Sequence, residues 1–504
     1  MRREYVPGEQ LPGPVIFRAG VPQQLRSPVA TPARGTRLGN HTPRRRSPLP
    51  PEDLASYRLR ILVIKTVWAT VFLLLVFVPL ILAPGAGGEH RPWSKGGLWV
   101  ELCLTSGLLG LSTLAATIVL PSRVKSLTQA FGIEQVLRSH RWLALATTII
   151  VVAHVLFIVI DKPLNVLLLS PADTGANRAR AGLTATVAMV LLCWLSFRRR
   201  RTGARYDIWR WVHAMLAVAA LVGTYLHMYW LNHLMQNAAE RTVFVVILIG
   251  VSAIMINRWV RRPFASLRQA YVVKEVRRET PTVNTVVLTP LRRRQRPMNY
   301  RPGQFAWIRL DSPFGPLQGN PFSLSSGTDN PRDLEFTIRK AGDFTATIGR
   351  LTAGRKVFVD GPYGDFNADY AGGERLLLIA GGVGMAPMMS ILRSHAHRGD
   401  PRQHLLIAAA RTPDELMFLD ELERLTVELD LELIPVVSQP PARWDGVSGR
   451  VDEELIAEVL STYELYGAQV FICGPPQLME DVSQSLVNHR VPAANIHTER
   501  FDLV

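Results

Sequence analysis

Four histidines in two apolar segments carry the clearest chemistry in this chain. His140 and His154 bound the stretch HRWLALATTIIVVAH, and His213 and His227 bound HAMLAVAALVGTYLH, with the same fourteen-residue step in each. On a helix that step advances about 21 Å and brings the side chain back to within ~40° of its starting face. Each helix would therefore point two imidazoles the same way at two depths of a bilayer whose apolar core is about 30 Å thick. Two such helices facing each other would hold two stacked hemes, with a histidine on either side of each iron. A lone histidine in an apolar helix is usually a hydrogen-bonded packing residue. Here two helices repeat one interval, and polar groups at membrane depth are costly enough to mark function. His90 and His233 break the pattern and read as loop residues.

The elements that must position these histidines are six apolar spans, expected at about 61–83, 98–120, 139–160, 181–197, 209–230 and 242–257. The inner loops would be 121–138, with Arg123, Lys125 and Arg138, and 198–208, with four arginines at 198–201 and Arg205. The outer loops 84–97, 161–180 and 231–241 carry fewer basic residues, so both termini are expected in the cytoplasm of a multi-pass plasma-membrane protein. Spans three and five then start on the cytoplasmic side. His140 and His213 would share an inner heme, and His154 and His227 an outer one. Arg138, Arg141 and Arg210 fall at the inner end, where propionates or the membrane interface would meet them.

The chain of 504 residues has room for a membrane part and two soluble domains. Its net charge of +16 sits largely beside the apolar spans, where membrane topology explains it, and no nucleic-acid-binding signature accompanies it. The three cysteines Cys103, Cys193 and Cys473 make neither a disulfide framework nor the clustered ligands of a [2Fe–2S] centre. Residues 1–56 are rich in Pro, Arg and Gly and are expected to form a disordered basic arm. Residues 1–60 hold eleven arginines against four acidic residues, a charge that would touch anionic lipid or fix topology. The opening MRREYVPGEQ has no apolar signal core, so no cleaved leader is expected.

After the spans, taken as a domain over 57–260, the pattern changes twice. From 264 to about 370, YVVKEVRRETPTVNTVVLTP and GQFAWIRL alternate and end in turn residues, as a small antiparallel barrel would. From 375 to 504, RLLLIA, HLLIAAA, ELIPVV and QVFIC are separated by helical stretches, the mark of a doubly wound parallel sheet.

Within the first of these regions, Asn320-Pro321-Phe322-Ser323-Leu324 resembles the flavin signature of the ferredoxin–NADP reductase superfamily. Arg339, Gly342 and Thr345 stand where that family places the flavin pyrophosphate, and Gly361-Pro362-Tyr363-Gly364 follows at the usual interval. In the second region Gly381, Gly382, Val383 and Gly384 come between a strand and a helix, the place for a dinucleotide pyrophosphate. Cys473, Gly474 and Pro475 follow a later strand, where the family binds nicotinamide, and the ending Glu499-Arg500-Phe501 matches relatives whose terminal aromatic covers the flavin.

Together, residues 55–504 resemble the ferric reductase/NADPH oxidase superfamily of bacterial type. The resemblance implies FAD, NAD(P)H and two b-type hemes as cofactors. Phe322 would pack along the isoalloxazine, Ser323 would reach its N5 edge, Cys473 would meet the nicotinamide, and Phe501 would yield to it. Asn320 departs from the family, which usually has Arg or His there to contact the flavin phosphates. The implied path runs from NAD(P)H through FAD and the two hemes to a small-molecule acceptor outside the membrane. Ferric chelates are the first reading. An oxidase releasing superoxide or hydrogen peroxide is the second, and a heme-binding membrane protein with a degenerate dehydrogenase the third. Arg411, after the strand LLIAAA, stands where a 2′-phosphate would distinguish NADPH from NADH.

Overall fold

The computed structural model describes residues 51–82, 93–161, 177–202, 206–231, 238–311, 319–328 and 332–500. These divide into two compact units, one built on Arg58–Arg268 and the other on Gln269–Asp311 with Asn320–Val504. Residues 1–50 of the stretch read as an arm, residues 84–92, 162–176 and 232–237 of the stretches read as outer loops, and Phe501 lie outside the described residues.

The first unit is helical: α1 (Pro51–Leu82), α2 (Trp93–Val119), α3 (Lys125–Phe131), α4 (Ile133–Asp161), α5 (Asn177–Thr202), α6 (Tyr206–Trp230), α7 (Ala238–Ile256) and α8 (Arg262–Arg268). Six stretches are long and apolar enough to cross a bilayer: Ala55–Ile81, Glu101–Ser122, Ile133–Ile160, Asn177–Arg199, Ile208–Trp230 and Arg241–Arg268. Leu62, Leu73, Phe77, Ile149, Val218 and Ile249 stand on outward faces more than half exposed or close to it, as lipid-facing side chains do. Small residues let the helices close on one another. A Cβ at Gly110 on α2 would lie 2.9 Å from Val151 of α4, and one at Gly223 on α6 would lie 2.9 Å from the Ala181 carbonyl of α5.

The helices differ from the expected spans at their polar ends. α1 begins at Pro51, inside the segment read as a disordered arm. The stretch read as an inner loop at 121–138 holds α3 and the first turns of α4. Arg138 pairs with Glu134 one turn earlier at 2.6 Å, which supports helix outside the apolar run. The last span does not stop near 257. A π-helical turn over Asn257–Arg261 carries it into α8, so the helix passes the boundary drawn at 264.

The second unit has two sheets. β1 (Ala270–Thr280), β2 (Val283–Pro290), β3 (Phe305–Leu310), β4 (Asn320–Ser323), β5 (Leu334–Arg339) and β6 (Lys356–Tyr363) form an antiparallel sheet in the order β4-β3-β6-β1-β2-β5. Its two ends meet where Leu324 bridges Phe336 and the Ser325 N–H donates to the Glu335 carbonyl at 2.8 Å. The sheet thus curls on itself around Tyr271, Leu288, Ile308, Phe336 and Val359. A short helix, α9 (Asp343–Ile348), lies between β5 and β6.

The second sheet is parallel, in the order β10-β9-β8-β7-β11-β12. Its elements are β7 (Arg375–Gly381), α10 (Met385–Arg398), β8 (Gln403–Ala410), α11 (Leu419–Glu428), β9 (Leu431–Val437), β10 (Val447–Ser448), α12 (Glu453–Thr462), β11 (Gln469–Cys473), α13 (Pro476–Asn488) and β12 (Ile496–Thr498). The unbroken apolar run of β7 has a simple cause. Leu376, Leu378 and Ala380 enter the core on one face, while Leu377 and Ile379 enter the core on the other. Arg393 on α10 joins the sheets, bonding Glu421 at 2.6 Å and Glu335 of β5 at 2.9 Å.

Candidate functional site

In the helical unit α4 and α6 bring the four histidines together as two pairs. His140 faces His213 and His154 faces His227, each with ring centroids 6.5 Å apart. An imidazole nitrogen lies about 2 Å from a first-row metal and about 1 Å from its own ring centre, so two imidazoles on one iron have centres about 6 Å apart. Both pairs match that span.

The neighbouring helices hold the rings by their other nitrogen. His140 Nδ1 donates to the Thr117 carbonyl at 3.0 Å and His154 Nδ1 to the Cys103 carbonyl at 2.8 Å, both on α2. His227 Nδ1 donates to the Arg178 carbonyl of α5 at 2.8 Å, and His213 Nδ1 faces Ser196 Oγ of α5 at 3.4 Å. Committing Nδ1 as donor leaves Nε2 as the free lone pair, the arrangement that metal-bound histidines require. Glycines make the room. A Cβ at Gly107 would come within 2.8 Å of His154, and one at Gly182 within 2.9 Å of His227. The residues fit a pair of irons. Of the arginines expected near them, Arg138 is taken by Glu134, and Arg210 is buried and donates to the Gly319 carbonyl at 3.3 Å.

In the second unit the flavin and nicotinamide motifs meet through a short chain of contacts. Ser323 pairs with Phe305 across β4 and β3, and Phe305 with Tyr363 across β3 and β6. Gly364 turns away from β6 at φ +93°, where a Cβ would lie 3.0 Å from the Phe305 ring and 3.4 Å from Glu499 Oε1. The Glu499 N–H donates to the Ile472 carbonyl at 3.3 Å, one residue before Cys473. A Cβ at Gly384 would overlap the Cys473 carbonyl, and one at Gly381 would lie 2.8 Å from Pro475. Ser323, Gly364, Glu499, Cys473 and the glycine turn therefore border one place.

That place holds orphaned polar atoms. Ser323 Oγ and Glu499 Oε2 are buried and have no hydrogen-bond partner among the described residues. Buried polar atoms are rarely left so, and the polar edge of an isoalloxazine would satisfy them. Burial, with the charge of Asp365 behind it, holds the Glu499 carboxyl well above the usual carboxylate range. Burial first and Glu499 second push the Cys473 thiol up, so it stays protonated. Glu499 had no role in the sequence reading, and its position between β12 and Phe501 was its one signal.

The remaining motif residues are spread around this place. Phe322 stacks on Phe344 at 6.0 Å and 13°, while Asn320 and Pro321 complete β4 and Leu324 is buried behind it. Arg339 is exposed at the end of β5. Thr345 Oγ1 accepts the Ala341 and Gly342 N–H groups at 2.8 and 2.9 Å, turning it onto its own backbone. Gly382 takes φ +53° with open space beside it, and with Val383 it leads into α10, leaving bare backbone for a pyrophosphate. Gly474 packs against Gly381, and Arg411 is exposed just past β8.

Another cluster of metal-type ligands, His395, Asp400 and His404, lies at the far ends of the same elements. His395 Nδ1 is 2.9 Å from His404 Nε2, and His395 Nε2 is 3.3 Å from Asp369. Arg402 binds both Asp400 oxygens, at 2.8 and 2.6 Å, and Arg398 binds both of Asp369. The carboxylates are spent on arginines, so the cluster is a network tying the linker at Asp369 to α10 and β8.

Three family descriptions match the chain in order. They are "Ferric reductase like transmembrane component" over residues 106–224, "FAD-binding domain" over 273–367 and "Oxidoreductase NAD-binding domain" over 378–484. The first spans His140, His154 and His213 and ends three residues before His227. Among curated relatives, the propane 2-monooxygenase reductase component of Mycolicibacterium smegmatis is 29% identical over 212 residues, 40% of this chain and 59% of that protein. Sulfhydrogenase 1 subunit gamma of Pyrococcus furiosus is 34% identical over 203 residues, 39% of this chain and 66% of that protein. The chain thus spans 59% to 66% of the length of these two relatives. Among solved structures, the ferredoxin reductase of carbazole 1,9a-dioxygenase gives a TM-score of 0.41 at 24% identity, covering 46% of this chain and 68% of that one. The flavohemoglobin of Malassezia yamatoensis gives 0.44 at 17% identity, covering 79% and 97%. The chain thus matches, in order, a ferric reductase-like transmembrane component, an FAD-binding domain and an oxidoreductase NAD-binding domain.

Proposed function

We propose that this protein carries electrons from cytoplasmic NAD(P)H across the plasma membrane to ferric chelates outside. Two equal 6.5 Å histidine pairs, set fourteen residues apart on each helix, carry the reading. His140 and His213 are the ligands of an inner b-type heme, and His154 and His227 those of an outer one. When bound, FAD divides a two-electron hydride into single electrons, and hemes relay such electrons one at a time.

The chain's own residues set the conditions. Ser323 and the protonated Glu499 offer hydrogen-bonding oxygens to the flavin edge, and Phe322 with Phe344 walls it. Gly381, Gly382 and Gly384 clear the backbone for the nucleotide pyrophosphate. Exposed Arg411 at the carboxyl end of the second strand of the parallel sheet suits a 2′-phosphate. Thr117, Cys103, Arg178 and Ser196 hold the imidazoles, and two histidines per iron leave no open coordination position. An acceptor would then be reduced without binding iron. The description of the transmembrane component favours ferric iron over oxygen as that acceptor.

The test is reconstitution of the purified chain with FAD and hemin, followed by NAD(P)H oxidation with ferric citrate or oxygen as acceptor. Two hemes per chain, a low-spin spectrum and faster turnover with ferric citrate are expected. Faster turnover with oxygen, with superoxide as product, would make the protein an oxidase instead. No heme uptake would end the reading.

A further inference from the structure

The four imidazoles are not held alike. His154 and His227 each donate from Nδ1 to a main-chain carbonyl at 2.8 Å, and Ser106 Oγ lies a further 3.4 Å from His154 Nδ1. His140 donates to a carbonyl at 3.0 Å. His213 instead meets a hydroxyl, Ser196 Oγ, at 3.4 Å. Ser196 gives its own proton to the Leu192 carbonyl at 2.7 Å, so its lone pairs are what His213 Nδ1 finds. The serine therefore accepts from the ring, weakly and at long range.

Hydrogen bonding behind an axial ligand is one of the levers by which a protein tunes a metal centre. A strong acceptor at Nδ1 pushes electron density onto the imidazole, makes it a better donor and favours ferric over ferrous iron. A hydroxyl at 3.4 Å does so less than an amide carbonyl at 2.8 Å. By this measure His213 is the poorest donor of the four, and the pair it belongs to is the less electron-rich.

Nearby charge acts in the same direction. Arg141 follows His140 directly in the sequence, and Arg258 donates to the Pro121 carbonyl just past the end of α2, the helix whose Thr117 carbonyl holds His140. Trp209 packs on the His213 ring at 5.0 Å and carries the Arg199 guanidinium over its own face at 4.6 Å. Positive charge at low dielectric favours the ferrous state, which carries one positive charge fewer at the iron.

We propose that Ser196 is a potential-setting residue: by offering His213 only a weak acceptor where the other three ligands have a main-chain carbonyl, it leaves the His140–His213 heme at a higher midpoint potential than the His154–His227 heme. The inference rests on the two-heme reading above. Each iron takes one electron, ferric to ferrous, and the serine biases that equilibrium without touching the iron.

The test is an optical redox titration of the full-length protein, loaded with hemes, for wild type, Ser196→Ala and Ser196→Thr. Each is also made in a His227→Ala background, where only the inner heme is expected to remain. Ser196→Ala should shift the inner midpoint upward and leave the outer one in place. Ser196→Thr keeps the hydroxyl and should return the wild-type value. A low-spin spectrum in every variant shows that both ligands still bind. If Ser196→Ala shows that spectrum with an unchanged inner midpoint, or moves both hemes equally, the proposal is overturned. A wild-type inner midpoint below the outer one overturns it as well. Failure of the wild type to take up heme would instead sink the two-heme reading, a different result from an unmoved potential.

Discussion

At the scale of single residues, the site rests on groups that do one job each. His227 is the clearest to remove. Its ring has the Arg178 carbonyl behind it and His154 opposite, and nothing else in the outer pair replaces its Nε2. His227→Ala should remove the outer heme, halve the heme content and leave an inner heme still reduced by NAD(P)H. Heme quantitation and reduced-minus-oxidised spectra check this, and two hemes with unchanged spectra would take His227 out of the ligand set. The facing histidine pairs were legible because histidine is conspicuous in an apolar run and a fourteen-residue step keeps it on one face. Their supports were not legible. Cys103, Thr117 and Arg178 act through main-chain carbonyls, which every residue has, and they lie on other helices. Glu499 was missed for a related reason: its burial depends on Gly364 and Ile472, both far from it in sequence.

At the scale of elements, apolar periodicity located every span, and an unbroken apolar run located β7, β8 and β11. What it missed is helix made from polar residues, as at the start of α4 and in α8, where local ion pairs and continuity with an apolar segment replace burial. Helix contact supplies a prediction of its own. A side chain at Gly182 of α5 would run into His227 of α6, whereas a Cβ at Gly250 of α7 meets nothing within 4 Å. Gly182→Ala should therefore displace the outer heme as His227→Ala does, and Gly250→Ala should keep both hemes. Equal heme content in the two glycine variants would show that α5 does not press on the ligand. In the parallel sheet, burial, with the charge of His395 behind it, pushes the His404 pKa down to about 3. The folded state keeps this ring neutral while the unfolded chain protonates it near 6.5, so its contribution is full above that pH and is lost as pH falls from 6.5 towards 3. Glu499 has the opposite sign, since its raised folded pKa makes acid stabilising. The His404 share must then be read as a difference. Between pH 7.5 and 5.5, wild type should lose about 1 kcal/mol relative to His404→Gln, a few degrees in the thermal inactivation of its NAD(P)H-dye reductase activity. Parallel pH profiles for the two proteins would show that His404 is not buried neutral.

At the scale of the whole molecule, the distribution of arginine gives the electron path a direction. The charged stretches at 121–138 and 198–205 flank the ends of the spans that carry His140 and His213, and the chain enters its dehydrogenase sequence beyond Arg258, Arg261 and Arg262 at the end of the sixth span. On the proposed path, electrons would enter at the inner pair and leave at the outer, about 21 Å along the helices. An outer heme of lower potential, as proposed, would make the step between hemes slightly uphill, and the membrane would supply the difference. Negative charge leaving a negative interior gains about 2.3 kcal/mol per 100 mV when it crosses the full potential. Sealed inside-out vesicles expose the dehydrogenase, so added NAD(P)H should reduce a membrane-impermeant ferric chelate only when the chelate is trapped in the lumen. An imposed lumen-positive potential should speed that reduction, and a lumen-negative one should slow it. Right-side-out vesicles should not respond to external NAD(P)H. Equal reduction of external and trapped chelate in intact vesicles, with free flavin excluded, would show that electrons leave the protein before reaching the His154–His227 pair.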